Sequence, residues 1–155
     1  MFLISLDFYN IINIMKRYQI ILDTNVLLSA LRSRRGASFK LLSSVDSDRF
    51  EINLSVALML EYEDVLKREA VLPDFSREAI DNILNYLAMI ANKREIFFLW
   101  RPYLIDPKDD FILELAVESS CDYIITYNLN DFKGVDRFGV KAITPKEFLK
   151  IIGGL

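Results

Sequence analysis

An apolar run that ends abruptly on an acid, Gln19-Ile20-Ile21-Leu22-Asp23-Thr24-Asn25, constrains this chain more than any other stretch. Residues 19–22 read as a buried strand, and Val26-Leu27-Leu28-Ser29-Ala30-Leu31 as the helix that follows it. Asp23 is therefore expected at the carboxyl end of a central strand, beside a turn. In open α/β sheets, loops and helix N-termini converge on that edge, and ligands bind there. The rest of the chain repeats the alternation. Strand-like runs occupy residues 17–22, 50–54, 96–100, 122–126 and 140–143; helix-like runs occupy 24–31, 37–47, 55–70, 109–120 and 146–152. A further helix restarts after Pro73, with Ser76 as its cap and Ile80, Ile83, Leu84, Leu87 and Ile90 on its apolar side. Pro145 suits a first helical position, and Gly153-Gly154 suits a helix end. Alternation of this kind predicts a three-layer α/β/α sandwich around a mostly parallel sheet with right-handed connections.

With 155 residues, 52% hydrophobic and 26% charged, the chain has the size and balance of one globular domain. It contains no His, which removes Ser-His-Asp triads, His-based general bases and His-type zinc sites. Any catalysis falls to carboxylates. The lone Cys121 excludes an internal disulfide and points to a reducing, cytoplasmic setting. A net charge of −3 does not grip nucleic acid by itself, yet Arg32, Arg34 and Arg35 form a basic loop after the first helix. Residues 1–14 are apolar, carry only Asp7, lack a basic leader and a cleavage site, and are too short to span a bilayer. Residues 1–15 read as an N-terminal extension, either a packing segment or sequence upstream of a start at Met15, and 16–155 as the domain.

The acids carry the chemistry. Asp23 has two readings, a cap on the following helix through Thr24 and Asn25, or a metal ligand. An unpaired buried carboxylate is costly, and Asp, Thr and Asn together at a strand tip favour the second. Glu61 lies near the apolar side of its helix, whereas Glu63 and Asp64 project toward solvent; a plain surface charge is the alternative for Glu61. In Asp106-Pro107-Lys108-Asp109-Asp110, Asp106 reads as an N-cap, Pro107 as the first helical residue and Asp109 as a capping-box partner. Capping accounts for one or two of those acids but not three, so Asp109, in preference to Asp110, is a site candidate. Tyr123-Ile124-Ile125-Thr126-Tyr127-Asn128-Leu129-Asn130-Asp131 repeats the strand-then-polar pattern, with capping by Asn128 or Asp131 as the alternative reading. Mg²⁺ and Mn²⁺ prefer such oxygen ligands, and clustered carboxylates resist ionisation unless a cation compensates them.

At these residues the chain resembles the PIN-domain ribonucleases, in particular the toxin components of toxin–antitoxin pairs. The matching pieces are Leu22-Asp23-Thr24-Asn25-Val26-Leu27, then Ser55 with Glu61-Tyr62 and Val65-Leu66. Asp106-Pro107-Lys108-Asp109-Asp110 and Thr126-Tyr127-Asn128-Leu129-Asn130-Asp131-Phe132 follow in the family's order. The resemblance implies a PIN-like domain over 16–155, an acidic pocket for Mg²⁺ or Mn²⁺, and endonucleolytic cleavage of RNA. Carried over, Asp23, Glu61, Asp109 and Asp131 are the catalytic and metal-binding acids. Asn25, Thr126 and Asn128 position water or substrate, and Arg32, Arg34 and Arg35 meet RNA. The departure is Asn128, where many relatives carry Asp; it thins one side of the metal pocket. A homodimer and a cognate antitoxin are also implied. Two rivals stand beside this reading. A phosphotransferase with Asp23 as nucleophile would need an acid where Asn25 stands. A non-catalytic PIN-like RNA-binding or protein-interaction module would keep the fold without the reaction.

Overall fold

The computed structural model describes residues 7, 8, 10–12 and 16–154, so the expectation for an extension over 1–15 lies largely outside the described residues. The domain begins with β1 (Tyr18–Leu22), α1 (Thr24–Arg32) and α2 (Ala37–Leu42), followed by β2 (Phe50–Leu54), α3 (Val56–Leu66), α4 (Arg77–Ile90) and β3 (Asn92–Lys93). It ends with α5 (Asp110–Glu118), β4 (Tyr123–Ile125), β5 (Lys141–Ile143) and α6 (Pro145–Ile151). The strands form one sheet in the order β3-β2-β1-β4-β5, and every pairing is parallel. The expected α/β/α architecture is therefore the observed one.

Alternation along the strands sorts the side chains onto two faces. Tyr18, Ile20 and Leu22 of β1 lie beside Phe50, Ile52 and Leu54 of β2 and are all buried. Phe148 of α6 closes this face, with ring centroids 5.9 Å from Tyr18, 5.5 Å from Phe50 and 5.7 Å from Tyr123. Edge-on and tilted contacts at such spacings suit the ring quadrupoles. The opposite face is apolar at Ile21 and Ile124, where α5 crosses β1, but polar toward β3. There Gln19 donates to Glu51 at 3.0 Å, and the Asn53 and Asn92 amides donate to Gln19 Oε1 at 3.0 and 3.3 Å. The hydrogen bonds from Gln19 and Asn92 hold the Glu51 carboxyl down at about 2.

Caps fix the helix starts. Ser55 accepts from Leu58 N at 3.2 Å and Ser76 from Ala79 N at 3.1 Å, as expected. Thr144 and Glu147 form a reciprocal capping box ahead of α6, with Pro145 in the first turn. Gly153, at φ +72°, supplies the left-handed turn after it.

Three expectations need correction. The run 96–100 is not a strand; the third strand is the two-residue β3, paired to β2 through Asn53 with Asn92 and Leu54 with Lys93. Strand propensity in 96–100 finds no ladder, because the amide of Trp100 goes to the Glu114 carboxylate of α5 at 2.9 Å. The helix expected over 37–47 stops at Leu42, where the Ser43 and Ser44 hydroxyls bond back to the Phe39 and Lys40 carbonyls, and a 3₁₀ turn follows. The helix expected over 55–70 stops at Leu66.

Candidate active site

The strand order places β1 between β2 and β4, so the chain leaves β1 toward one side and later returns to the other. The carboxyl ends of β1 and β4 thus flank the topological switch point, where open α/β sheets form a crevice. Asp23 follows β1 directly, and its amide extends the ladder to Ile125 O at 2.9 Å. Thr126 follows β4 in the same way, its amide bonding Ile143 O at 2.9 Å.

The capping reading of Asp23 holds, and it occupies only one of the two carboxylate oxygens. One carboxylate oxygen caps α1 through Thr24 N at 2.8 Å. The other accepts from the Thr126 hydroxyl at 2.8 Å and from the Asn25 amide at 3.2 Å. Thr126 is fully buried, and its hydroxyl also accepts from Asn128 N at 3.0 Å. Asn25 Oδ1 in turn accepts from Tyr127 N at 3.3 Å. Asn25, Thr126 and the Asn128 backbone therefore lock the two strand tips together around Asp23, while the Asn128 side chain makes no capping bond.

Glu61 reaches the same edge from α3. One of its oxygens accepts from the Thr24 hydroxyl, and the neighbouring Tyr62 donates its hydroxyl to the Leu22 carbonyl. Tyr62 is buried, and burial first, then the charges of Asp23 and Glu61, push its phenol well above the ordinary range. Tyr62 thus remains a neutral donor that ties α3 to the tip of β1. Glu63 and Asp64 are exposed and pair with Lys67 and Arg68 one turn on, as expected of solvated charges.

The Asp106–Asp110 cluster divides cleanly. Asp106 caps a 3₁₀ turn through Lys108 N at 3.0 Å, so the expected capping box does not form. Asp110 is fully buried and accepts from Leu104 N at 2.8 Å and Tyr103 N at 3.3 Å, a structural role. Asp109 precedes α5 without making a capping bond. Its carboxyl is pushed up to about 6, first by burial and then by the charges of Asp23, Asp131, Asp106 and Glu61. Asp23 is also raised, by burial above all, with Glu61 and Asp131 adding to it against the bonds from Thr126 and Thr24. Asp131, half-buried in the 3₁₀ turn Leu129–Phe132, completes this mutually repelling group.

Among the described residues, no three acidic or Cys side chains stand gathered as a finished metal cage. The donor chemistry still fits a hard divalent cation: carboxylates close enough to raise one another's affinity for a positive charge, with amide and hydroxyl groups between them. The basic loop lies apart. Arg32 donates to the Val71 carbonyl at 3.2 and 3.4 Å, and Arg34 and Arg35 are exposed at the far end of α1, about 13 Å along its axis from Asp23. Sequence reasoning placed Thr24 at the strand tip but did not foresee its bond to Glu61, nor the bond from Tyr62 to the Leu22 carbonyl. Thr24 and Tyr62 each sit one position from a candidate acid, which was the available signal.

The division between Asp109 and Asp110 is testable by stability. Asp110→Ala leaves the buried amide of Leu104 and the half-buried amide of Tyr103 without an acceptor and is expected to cost about 2–4 kcal/mol in urea unfolding. Asp109→Asn is expected to stabilise the metal-free protein at pH 7 by about 1 kcal/mol, well below what a displacement from 3.8 to about 6 gives in full, because solvent screens a part-exposed group. An acid whose folded pKa lies above its unfolded value holds extra protons in the folded state between the two. Stability therefore falls as pH rises from about 4 to about 6, and the Asn variant loses that slope. Equal destabilisation by both variants would refute the division.

No curated protein matches this chain. The family model described as PIN domain matches residues 19–130, a stretch that contains Asp23, Glu61 and Asp109 and ends one residue short of Asp131. PIN domains are generally metal-dependent nucleases that act on nucleic acids. With this match over most of its length and the parallel sheet that carries it, the chain belongs to the PIN-domain family.

Proposed function

We propose that this protein is a Mg²⁺- or Mn²⁺-dependent endoribonuclease. The observation that carries the reading is the meeting of Asp23, bonded to Thr24 and Thr126, with Glu61, bonded to the Thr24 hydroxyl, at the switch point of the sheet. There, after burial, the charges of Glu61 and Asp131 raise the Asp23 carboxyl, and those of Asp23, Asp131 and Glu61 raise that of Asp109. In this reading the four acids hold the ion. When bound, such an ion lowers the pKa of a water ligand and neutralises charge on a scissile phosphate. Thr126, Thr24 and Asn25 keep Asp23 aimed by donating to its oxygens, and the bonds from Thr126 and Thr24 oppose the upward push of burial on its carboxyl. Asn128 supplies a neutral amide at the rim, and Arg34 and Arg35 meet the backbone of a longer RNA away from the cut.

The test is cleavage of single-stranded RNA by the purified protein with Mg²⁺ or Mn²⁺ and with excess chelator. Cleavage that appears only with the cation is the expected result. Undiminished cleavage in chelator, or none with either ion over many RNA sequences, would remove the proposal. The second outcome would favour a non-catalytic PIN-like RNA-binding or protein-interaction module, a reading supported by Asn128 and by the modest basic charge of a chain whose net charge is −3. A toxin role with a cognate antitoxin, a homodimer and a cytoplasmic location extend the same proposal; none of the described helices is long and apolar enough to cross a membrane.

A further inference from the structure

The exit of β4 carries a feature that the acids do not use. Tyr127 follows Thr126, whose hydroxyl bonds Asp23, yet its own hydroxyl bonds Ser38 and not an acid, and the residue remains 46% exposed. The ring is nevertheless held at both ends. Its hydroxyl pairs at 2.6 Å with the hydroxyl of Ser38, a buried residue of α2, and its backbone amide donates to Asn25 Oδ1 at 3.3 Å. Among the described residues no second ring or cation packs on it. Beside it the chain from Tyr127 to Asp131 lines an open hollow of about 550 Å³. Leu129 is 39% exposed there, and Asn128 and Asn130 are exposed residues.

A ring that is tied at its hydroxyl, nearly half exposed and paired with no other ring or cation among the described residues can serve as a stacking platform. Fixing it in advance reduces the ordering cost of binding. Planar bases stack on such rings whatever their sequence, and side-chain amides offer a donor and an acceptor to a base edge. We propose that Tyr127 is the floor of a nucleobase subsite, in which an unpaired base next to the scissile phosphate stacks on the ring and turns its edge to Asn128 and Asn130. A paired base cannot enter, so the subsite also selects unpaired substrate. This inference rests on the ribonuclease reading for what lies beside the base, but its binding step is independent of cleavage.

The test measures binding of a fluorescently labelled short RNA oligonucleotide, without self-complementarity, by anisotropy in the Asp23→Asn background, so that the strand stays intact. Tyr127→Leu is expected to weaken binding roughly 5- to 150-fold, the measured range for loss of one stacked base. Tyr127→Phe, which keeps the ring, is expected to restore most of it, and a duplex of the same sequence is expected to bind poorly to all three. Far-UV circular dichroism confirms that each variant is folded. Equal affinity of Tyr127→Leu and its parent overturns the subsite, as does absence of single-strand binding by the parent or a duplex bound equally well. Mn²⁺ titration and cleavage by the otherwise native protein are read separately. A protein that cleaves but ignores Tyr127→Leu loses the subsite alone. One that loses RNA with Tyr127→Leu but never cleaves loses the nuclease reading alone.

Discussion

Asp23→Asn is expected to reduce RNA cleavage by roughly 10²–10³-fold, the scale on which a preorganised site loses one electrostatic contributor. The effect is chemical and not structural, because Asn keeps an oxygen to accept from Thr24 N or the Thr126 hydroxyl. Removal of one negative charge from a group that already contains Glu61, Asp109 and Asp131 relieves repulsion. The variant should therefore unfold at the same urea concentration as the parent or a higher one, while Mn²⁺ affinity falls. Stability and activity moving in opposite directions is the signature of a strained functional cluster. A variant that cleaves normally would show that Asp23 serves only as a helix cap, and a variant that fails to fold would show that its charge is structural.

Phe148→Ala is expected to cost about 3–5 kcal/mol of stability. Its side chain has no exposure and lies between Tyr18, Phe50 and Tyr123, so one truncation removes contacts to β1, β2 and β4 together. The rest of α6 is short and cannot close over the gap. Phe148→Leu should recover much of the loss, since most of the volume returns. Both are read from urea midpoints at constant slope. Residual folded Phe148→Ala should keep the turnover of the parent, because Phe148 stands against the amino half of β1 while Asp23 lies beyond its other end. A loss below about 1 kcal/mol would mean that the aromatic group packs loosely.

The parts of the molecule legible in the sequence were those with a local physical signature. Apolar runs bounded by turns marked β1, β2 and β4, and hydroxyl residues ahead of periodic helices marked α3 and α4. The parallel arrangement followed from their alternation. Residues 96–100 misled because strand propensity says nothing about whether a neighbouring edge is free, and here the Glu114 carboxylate claims the Trp100 amide. At the site, the buried amide of Leu104 and the half-buried amide of Tyr103 occupy Asp110, which leaves Asp109 as the candidate of the pair. That competition depends on a chain segment folding back, which no local pattern encodes. The roles of Thr24 and Tyr62 stayed hidden for the same reason. Each depends on α3 packing against the tip of β1, a contact across about forty residues of chain.

The polar plate of Gln19, Glu51, Asn53 and Asn92 has a bearing on the distant acids. Parallel strands have no tight hairpin to set how far one slides along the next, so side chains must do it. Asn53 is wholly enclosed, and its amide donates to Gln19 Oε1 and the Ile20 carbonyl of β1 only in the register that sets Gln19 level with Glu51. Sliding by a single residue would strand that amide, turn Glu51 inward, and carry α3 with its Glu61 about 3.3 Å away from Thr24 and Asp23. A lock built from three side-chain amides and the Glu51 carboxylate on one face of the sheet thus bears on the spacing of charges at its carboxyl edge.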